Sequence, residues 1–149
     1  MKNWSKKISN RLAKLPSISD AHDAFLFFRI LVFAAIIPFL LRFKLRTVTK
    51  LIQPRRISRI HEYADVEKIV AYVDAAPRVA APFVRRGCLT RGLTLYRFLR
   101  KAGLEISLCF GIGQTEEEFS GHCWLMKDGE PFLEPRAPEP TFTKIYSLP

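Results

Sequence analysis

Cys88 and His122 are the residues whose types and spacing could do chemistry in this chain. Cys88 opens a stretch with helical periodicity, and His122 lies 34 residues further on in a Gly121-His122-Cys123-Trp124 run. A free thiol is mostly protonated at neutral pH, but a helix N-terminus favours the thiolate through its unpaired N–H groups and its dipole. Arg85, Arg86 and Arg91 add positive potential nearby. The same N–H groups are suited to part of an oxyanion hole, where charge develops on an attacked carbonyl. Gly87 removes side-chain bulk on the approach to the sulfur. A nucleophilic thiol also needs a base, and usually a third group that holds the imidazole in the right tautomer. The plainer alternatives are an inert buried cysteine and a histidine that merely packs in a strand. Cys109 and Cys123 fit no recognised zinc spacing, and no metal or cofactor is expected.

The third group depends on a hairpin. Asp128-Gly129 is the strongest short turn signal in the chain, flanked by predicted strands at Phe119–Met126 and Glu130–Glu134. Alternation puts His122, Trp124 and Met126 on one face and Cys123 and Leu125 on the other. With a three-residue loop, Met126 pairs with Glu130 and Glu134 lies opposite His122. With a two-residue turn, Glu134 lies opposite Cys123 and points away. Trp124 is expected to pack on the cysteine helix rather than to bind a ligand.

Helices must position these residues. Ser19 and Asp20 are caps for a helix over Ala21–Ile37, which Pro38 kinks or ends. Further helices are predicted over Leu40–Ile52 and over Ala64–Ala75, the latter ending near Pro77. Residues 76–87 read as a loop feeding Cys88. Leu89, Leu93, Tyr96 and Leu99 make one helical face, with Arg100 and Lys101 in the last turn and Gly103 just beyond. Leu104–Ile112 alternates as a strand, 113–118 reads as an acidic loop, and a last strand is predicted at Thr141–Tyr146. Helices followed by a small antiparallel sheet define an α+β class. The organisation expected is a basic, partly disordered lead over 1–20 and a single domain over 21–149. Within that domain, 21–75 is a helical lead-in and 76–149 carries the chemistry.

The net charge of +10 is unevenly placed. Residues 1–61 hold thirteen Lys/Arg against Asp20 and Asp23, whereas residues 62–149 are close to neutral. Such a basic segment suits anionic lipid, nucleic acid or an acidic peptide, or is simply a solvated face. The longest apolar run, Ile30–Leu41, is shorter than the roughly 20 residues a bilayer span needs, and Arg29 precedes it. It reads first as a buried helix and second as a membrane-surface helix flanked by Arg42, Lys44, Arg46 and Lys50. Three cysteines without a secretory signature point to reduced thiols in the cytoplasm.

Cys88-Leu89-Thr90-Arg91-Gly92-Leu93-Thr94-Leu95 with Leu99-Arg100-Lys101-Ala102-Gly103 resembles a C-L-x-R-x-L-x-L…L-R-x-x-G pattern. Gly121-His122-Cys123-Trp124, Asp128-Gly129 and Leu133-Glu134 resemble H-A-W-V-E…G…D. Both patterns occur in the leader peptidases of lasso-peptide biosynthesis, microcin-processing members of the transglutaminase-like, papain-related superfamily. The specific likeness covers roughly residues 84–135, and 24–52 are similar more loosely to the helical lead-in of that family. It implies a transglutaminase-like core with the nucleophile helix packed on a small antiparallel sheet. It also implies a cysteine peptidase that removes the leader of a ribosomally made precursor through an acyl-enzyme, with Cys88 as nucleophile, His122 as base and Glu134 as acid. The family usually has aspartate where Glu134 stands and alanine where Cys123 stands. The partners implied are the precursor peptide, an ATP-dependent lasso cyclase and, since a leader-gripping N-terminal domain is not expected here, a separate leader-binding protein. A membrane surface is a further expected partner of the basic helices, and nucleic acid is not. The alternatives are an acyl or amide transferase of the same fold and a non-catalytic adaptor for peptide or membrane.

Overall fold

The computed structural model describes residues 18–43, 45–54, 63–81, 83–114, 119–134 and 142–149. The basic lead before Ile18, Glu116–Glu118 and the proline-rich stretch 135–141 lie outside the described residues, as does His61. Among the described residues, four helices, α1 (Ala21–Leu40), α2 (Leu45–Ile52), α3 (Tyr63–Val79) and α4 (Cys88–Lys101), precede four strands. The strands are β1 (Ser107–Gln114), β2 (Phe119–Lys127), β3 (Glu130–Phe132) and β4 (Thr143–Leu148). They form one antiparallel sheet in the order β3-β2-β1-β4. This is the expected α+β architecture.

α1 starts where Asp20 accepts a hydrogen bond from the Asp23 N–H at 2.8 Å, an N-cap that satisfies one orphan donor of the first turn. It runs through Pro38 for two more residues instead of stopping there. In the last turn, proline's missing N–H deprives only one carbonyl of its partner, so the break is postponed. Pro77 is absorbed the same way near the end of α3, which extends to Val79. α2 begins at Leu45 rather than Leu40, because α1 and its C-terminal turn use residues 40–43.

α4 is the hub. Thr90, Leu93, Thr94, Leu95, Tyr96 and Leu99 are buried along it, and α1, α3 and the sheet all pack on it. Burying each such aliphatic side chain is worth about 1.5–3 kcal/mol relative to exposure. Its C-terminus closes with paired bonds, Leu104 N–H to Leu99 O and Gly103 N–H to Arg100 O, both at 3.0 Å. Gly103 holds φ at +96°, as this closure requires.

The reading of α1 as a buried helix needs correction. Only Asp23, Ile30, Ala34 and Ile37 are buried, on the stripe that faces α3 and α4. Phe25, Phe28, Val32, Ile36 and Phe39 are exposed on the opposite stripe. A helix apolar all round has two faces to cover, and α3 and α4 cover one. At the covered end, Lys68 Nζ donates to both oxygens of Asp23 at 3.0 Å, so the buried carboxylate is paired.

Candidate active site

Cys88 is the first residue of α4, and its side chain is half-buried. Gly87 precedes it, and a Cβ on Gly87 would meet nothing within 4 Å, so the approach to the helix N-terminus is open. Two contacts fix this turn relative to the sheet. Cys123 Sγ, on β2, donates to the Cys88 carbonyl at 2.9 Å. Arg91 binds Asp74 of α3 through Nε at 2.7 Å and reaches the Leu133 carbonyl through Nη1 at 3.5 Å. The first turn of α4 is therefore tied to the residue after His122 and to the residue before Glu134. In the sequence Arg91 reads only as a positive charge near Cys88 and Asp74 gives no signal, because the two stand seventeen positions apart and only the tertiary fold pairs them.

His122 lies on β2 opposite Gly111 of β1. Its ring stacks on Trp124, with centroids 6.0 Å apart and planes 12° off parallel, and meets Phe142 at 5.1 Å. Glu134 Oε2 stands 3.5 Å from His122 Nε2, with both side chains largely covered. That separation brings the carboxylate within electrostatic reach without an aligned hydrogen bond, and Nε2 is buried with no hydrogen-bond partner. No hydrogen bond joins Cys88 Sγ to His122 among the described residues; the connection between them runs through Cys123.

The hairpin brings Glu134 to His122 by a route that the register alternatives did not contain. The turn has two residues, since Lys127 pairs with Glu130 and Asp128 and Gly129 take positive φ values of 52° and 83°. Continued pairing would have carried Glu134 to the wrong face. Instead β3 stops at Phe132, and Leu133 adopts φ +63°, which breaks the alternation just before the acid.

Cys123 and Trp124 divide the faces of β2. Cys123 points at α4, where a Cβ on Gly92 would come within 2.8 Å of its sulfur. Burial, followed by the neighbouring Cys88, pushes the Cys123 thiol far up, so it stays protonated and unreactive. Trp124 therefore faces away from α4, contrary to expectation, and lies across Gly111, where a Cβ would approach its ring to 2.8 Å. Where β1 pairs with β4, the register shifts between Phe110 and Gly111 of β1, so the sheet is irregular beside the residue opposite His122.

A cleft of about 330 Å³ opens beside the helix start, bounded by Pro77, Arg78, Arg85, Arg86, Gly87 and Arg91. Arg85 and Arg86 are exposed along it; helix and loop residues line this cleft, and Cys88, His122 and Glu134 do not.

A sequence-family profile described as the transglutaminase-like superfamily matches residues 30–147. That span takes in most of the chain and all of the residues just described, so the protein belongs to the transglutaminase-like superfamily. Cysteine peptidases and acyl transferases are common among its members. No curated protein and no solved structure gives a match.

Proposed function

We propose that this protein is a cysteine peptidase that cuts the leader from a ribosomally made lasso-peptide precursor in the cytoplasm. The observation that carries the reading is the meeting of Glu134 with His122 at 3.5 Å, beside a cysteine-headed helix tied to the same strand. The likeness of residues 84–135 to the leader peptidases supplies the substrate class.

In the proposed reaction Cys88 Sγ attacks the scissile carbonyl. Its proton passes to His122 through Nδ1, since Nε2 faces Glu134. N–H groups of the first turn of α4 receive the developing oxyanion. The imidazolium then protonates the leaving amine as the C–N bond breaks, which leaves a thioester on Cys88. Water, deprotonated by His122, releases the acyl fragment and restores the thiol. Alternation puts His122 on the face of β2 shared with Trp124, opposite the Cys123 face that meets α4, so this sequence requires the imidazole and Cys88 Sγ to be brought together across the edge of β2 when peptide fills the site. The basic cleft beside Gly87, which Cys88, His122 and Glu134 do not line, offers a seat for a flanking part of the precursor chain. A leader-binding protein and an ATP-dependent cyclase complete the proposed pathway on either side of the cut.

The test is reconstitution with precursor and leader-binding protein, read by mass spectrometry. Cleaved leader with the parent chain, and none with Cys88→Ala of unchanged thermal midpoint, supports the reading. Equal cleavage by Cys88→Ala rejects it. A product bearing an added amine in place of water assigns acyl transfer instead.

A further inference from the structure

We propose that the outer face of α1 is a docking surface for an anionic phospholipid bilayer, on which the helix lies in the plane of the interface. The proposal is independent of the peptidase reading.

Phe25, Phe28 and Phe39 are 60%, 60% and 64% exposed, and Val32 and Ile36 join them at helical spacing along α1. Phe43, just past the helix end, continues the stripe and is also 60% exposed. A contiguous apolar stripe of this length is unusual on a surface left in water. Side chains of the stripe carry no hydrogen-bonding group, and the backbone beneath is already bonded within the helix. Hydrocarbon needs no such groups, whereas a specific protein partner normally finds some.

Charge selects the kind of bilayer. No Asp or Glu occurs between Asp23 and Glu62, while Arg29, Arg42, Lys44, Arg46 and Lys50 fall in that interval. Arg42, two residues past the end of α1, and Lys50 of α2 are exposed, and the Arg29 guanidinium lies 5.6 Å from the Phe25 ring centre. An apolar stripe flanked by cations is how an interfacial helix meets acidic headgroups.

The helix has the length and hydropathy of a membrane span, 20 residues with a mean hydropathy of 2.2 over its most apolar window. Its other stripe is nevertheless occupied. Ile30, Ala34 and Ile37 are buried towards α3 and α4, and Asp23 is paired with Lys68. With one side committed to protein, the geometry favours lying on the leaflet over crossing it.

Flotation of the full chain tests this, using vesicles of phosphatidylcholine alone and mixed with phosphatidylglycerol. The expected result is recovery with the mixed vesicles, weakened by salt. A Phe25→Ser/Phe28→Ser/Phe39→Ser variant, whose thermal midpoint should hold because all three sites are exposed, should partition at least about tenfold less. Failure of the parent chain to float, or equal flotation of the serine variant, overturns the proposal. A Phe28→Trp variant adds a reading that needs no loss of apolar surface. Its added emission should shift to the blue and be quenched by brominated acyl chains. Emission that is already blue and indifferent to vesicles means that the protein or a second copy covers the face, which also overturns it.

Discussion

Glu134 meets His122 because Leu133 takes a left-handed backbone conformation. At φ +63°, Leu133 undoes the alternation that a two-residue turn would have imposed, and the carboxylate arrives 3.5 Å from Nε2. Leu133 is also buried, so its side chain anchors the kink that its backbone makes.

A β-branched residue at 133 should separate these roles. Leu133→Ile keeps apolar bulk but resists positive φ, at a cost of about 1–3 kcal/mol. If the proposed mechanism holds, precursor cleavage should fall about tenfold or more, as far as in Glu134→Gln, and the double variant should be no slower than either single one. Full cleavage by Leu133→Ile, checked by single-turnover kinetics, would show that the kink does not deliver the acid.

The thiols should react unequally. Cys109 and Cys123 are buried, and burial holds Cys123 protonated, whereas Cys88 is half-buried at an open helix start. Iodoacetamide on the native protein near neutral pH is expected to label Cys88 alone, and peptide mapping identifies the site. Labelling of Cys123 ahead of Cys88 would contradict the burial described here.

Gly92 and Cys123 form a steric pair. A methyl group on Gly92 would come within 2.8 Å of the Cys123 sulfur and 3.3 Å of Leu108 Cδ1. Gly92→Ala should therefore destabilise the fold by about 1–3 kcal/mol despite its better helix propensity. Cys123→Ala should recover much of that loss, with a coupling of about 1 kcal/mol in a urea double-mutant cycle. Additive effects would mean that the sulfur is not what Gly92 makes room for.

Acid should expose the Asp23–Lys68 pair. The Lys68 ammonium, bonded to both oxygens, holds the Asp23 carboxyl below its ordinary value of 3.8. A depressed acid contributes stability above its unfolded pKa and loses it as pH falls through the folded one. Urea midpoints of the parent chain should decline below about pH 4. Asp23→Asn should be less stable at neutral pH and show a shallower acid decline. Identical acid limbs would remove the pair from the account of α1 docking.

Much of this site could be read from local signals. The helix headed by Cys88 ends at Lys101 as its apolar spacing, basic last turn and Gly103 indicate. Asp128-Gly129 makes the turn that such dipeptides make. The kink at Leu133 left no trace, because leucine carries no preference for positive φ and only packing holds it there. The Arg91–Asp74 contact joins separate helices, which periodicity cannot report. The sequence leaves open which face of β2 meets α4; Cys123, unremarkable in sequence, takes that face, which turns Trp124 and His122 to the other. The outer stripe of α1 is legible only as the second reading of its apolar run, because such a run looks the same whether or not protein covers both of its sides.

That stripe has a consequence for how the protein is handled. With grease on both flanks, α1 has no soluble fallback if its inner flank lets go. A chain that frays there would present a sticky rod to its neighbours, so loss of the Asp23–Lys68 clasp should be seen as clumping before it is seen as unfolding.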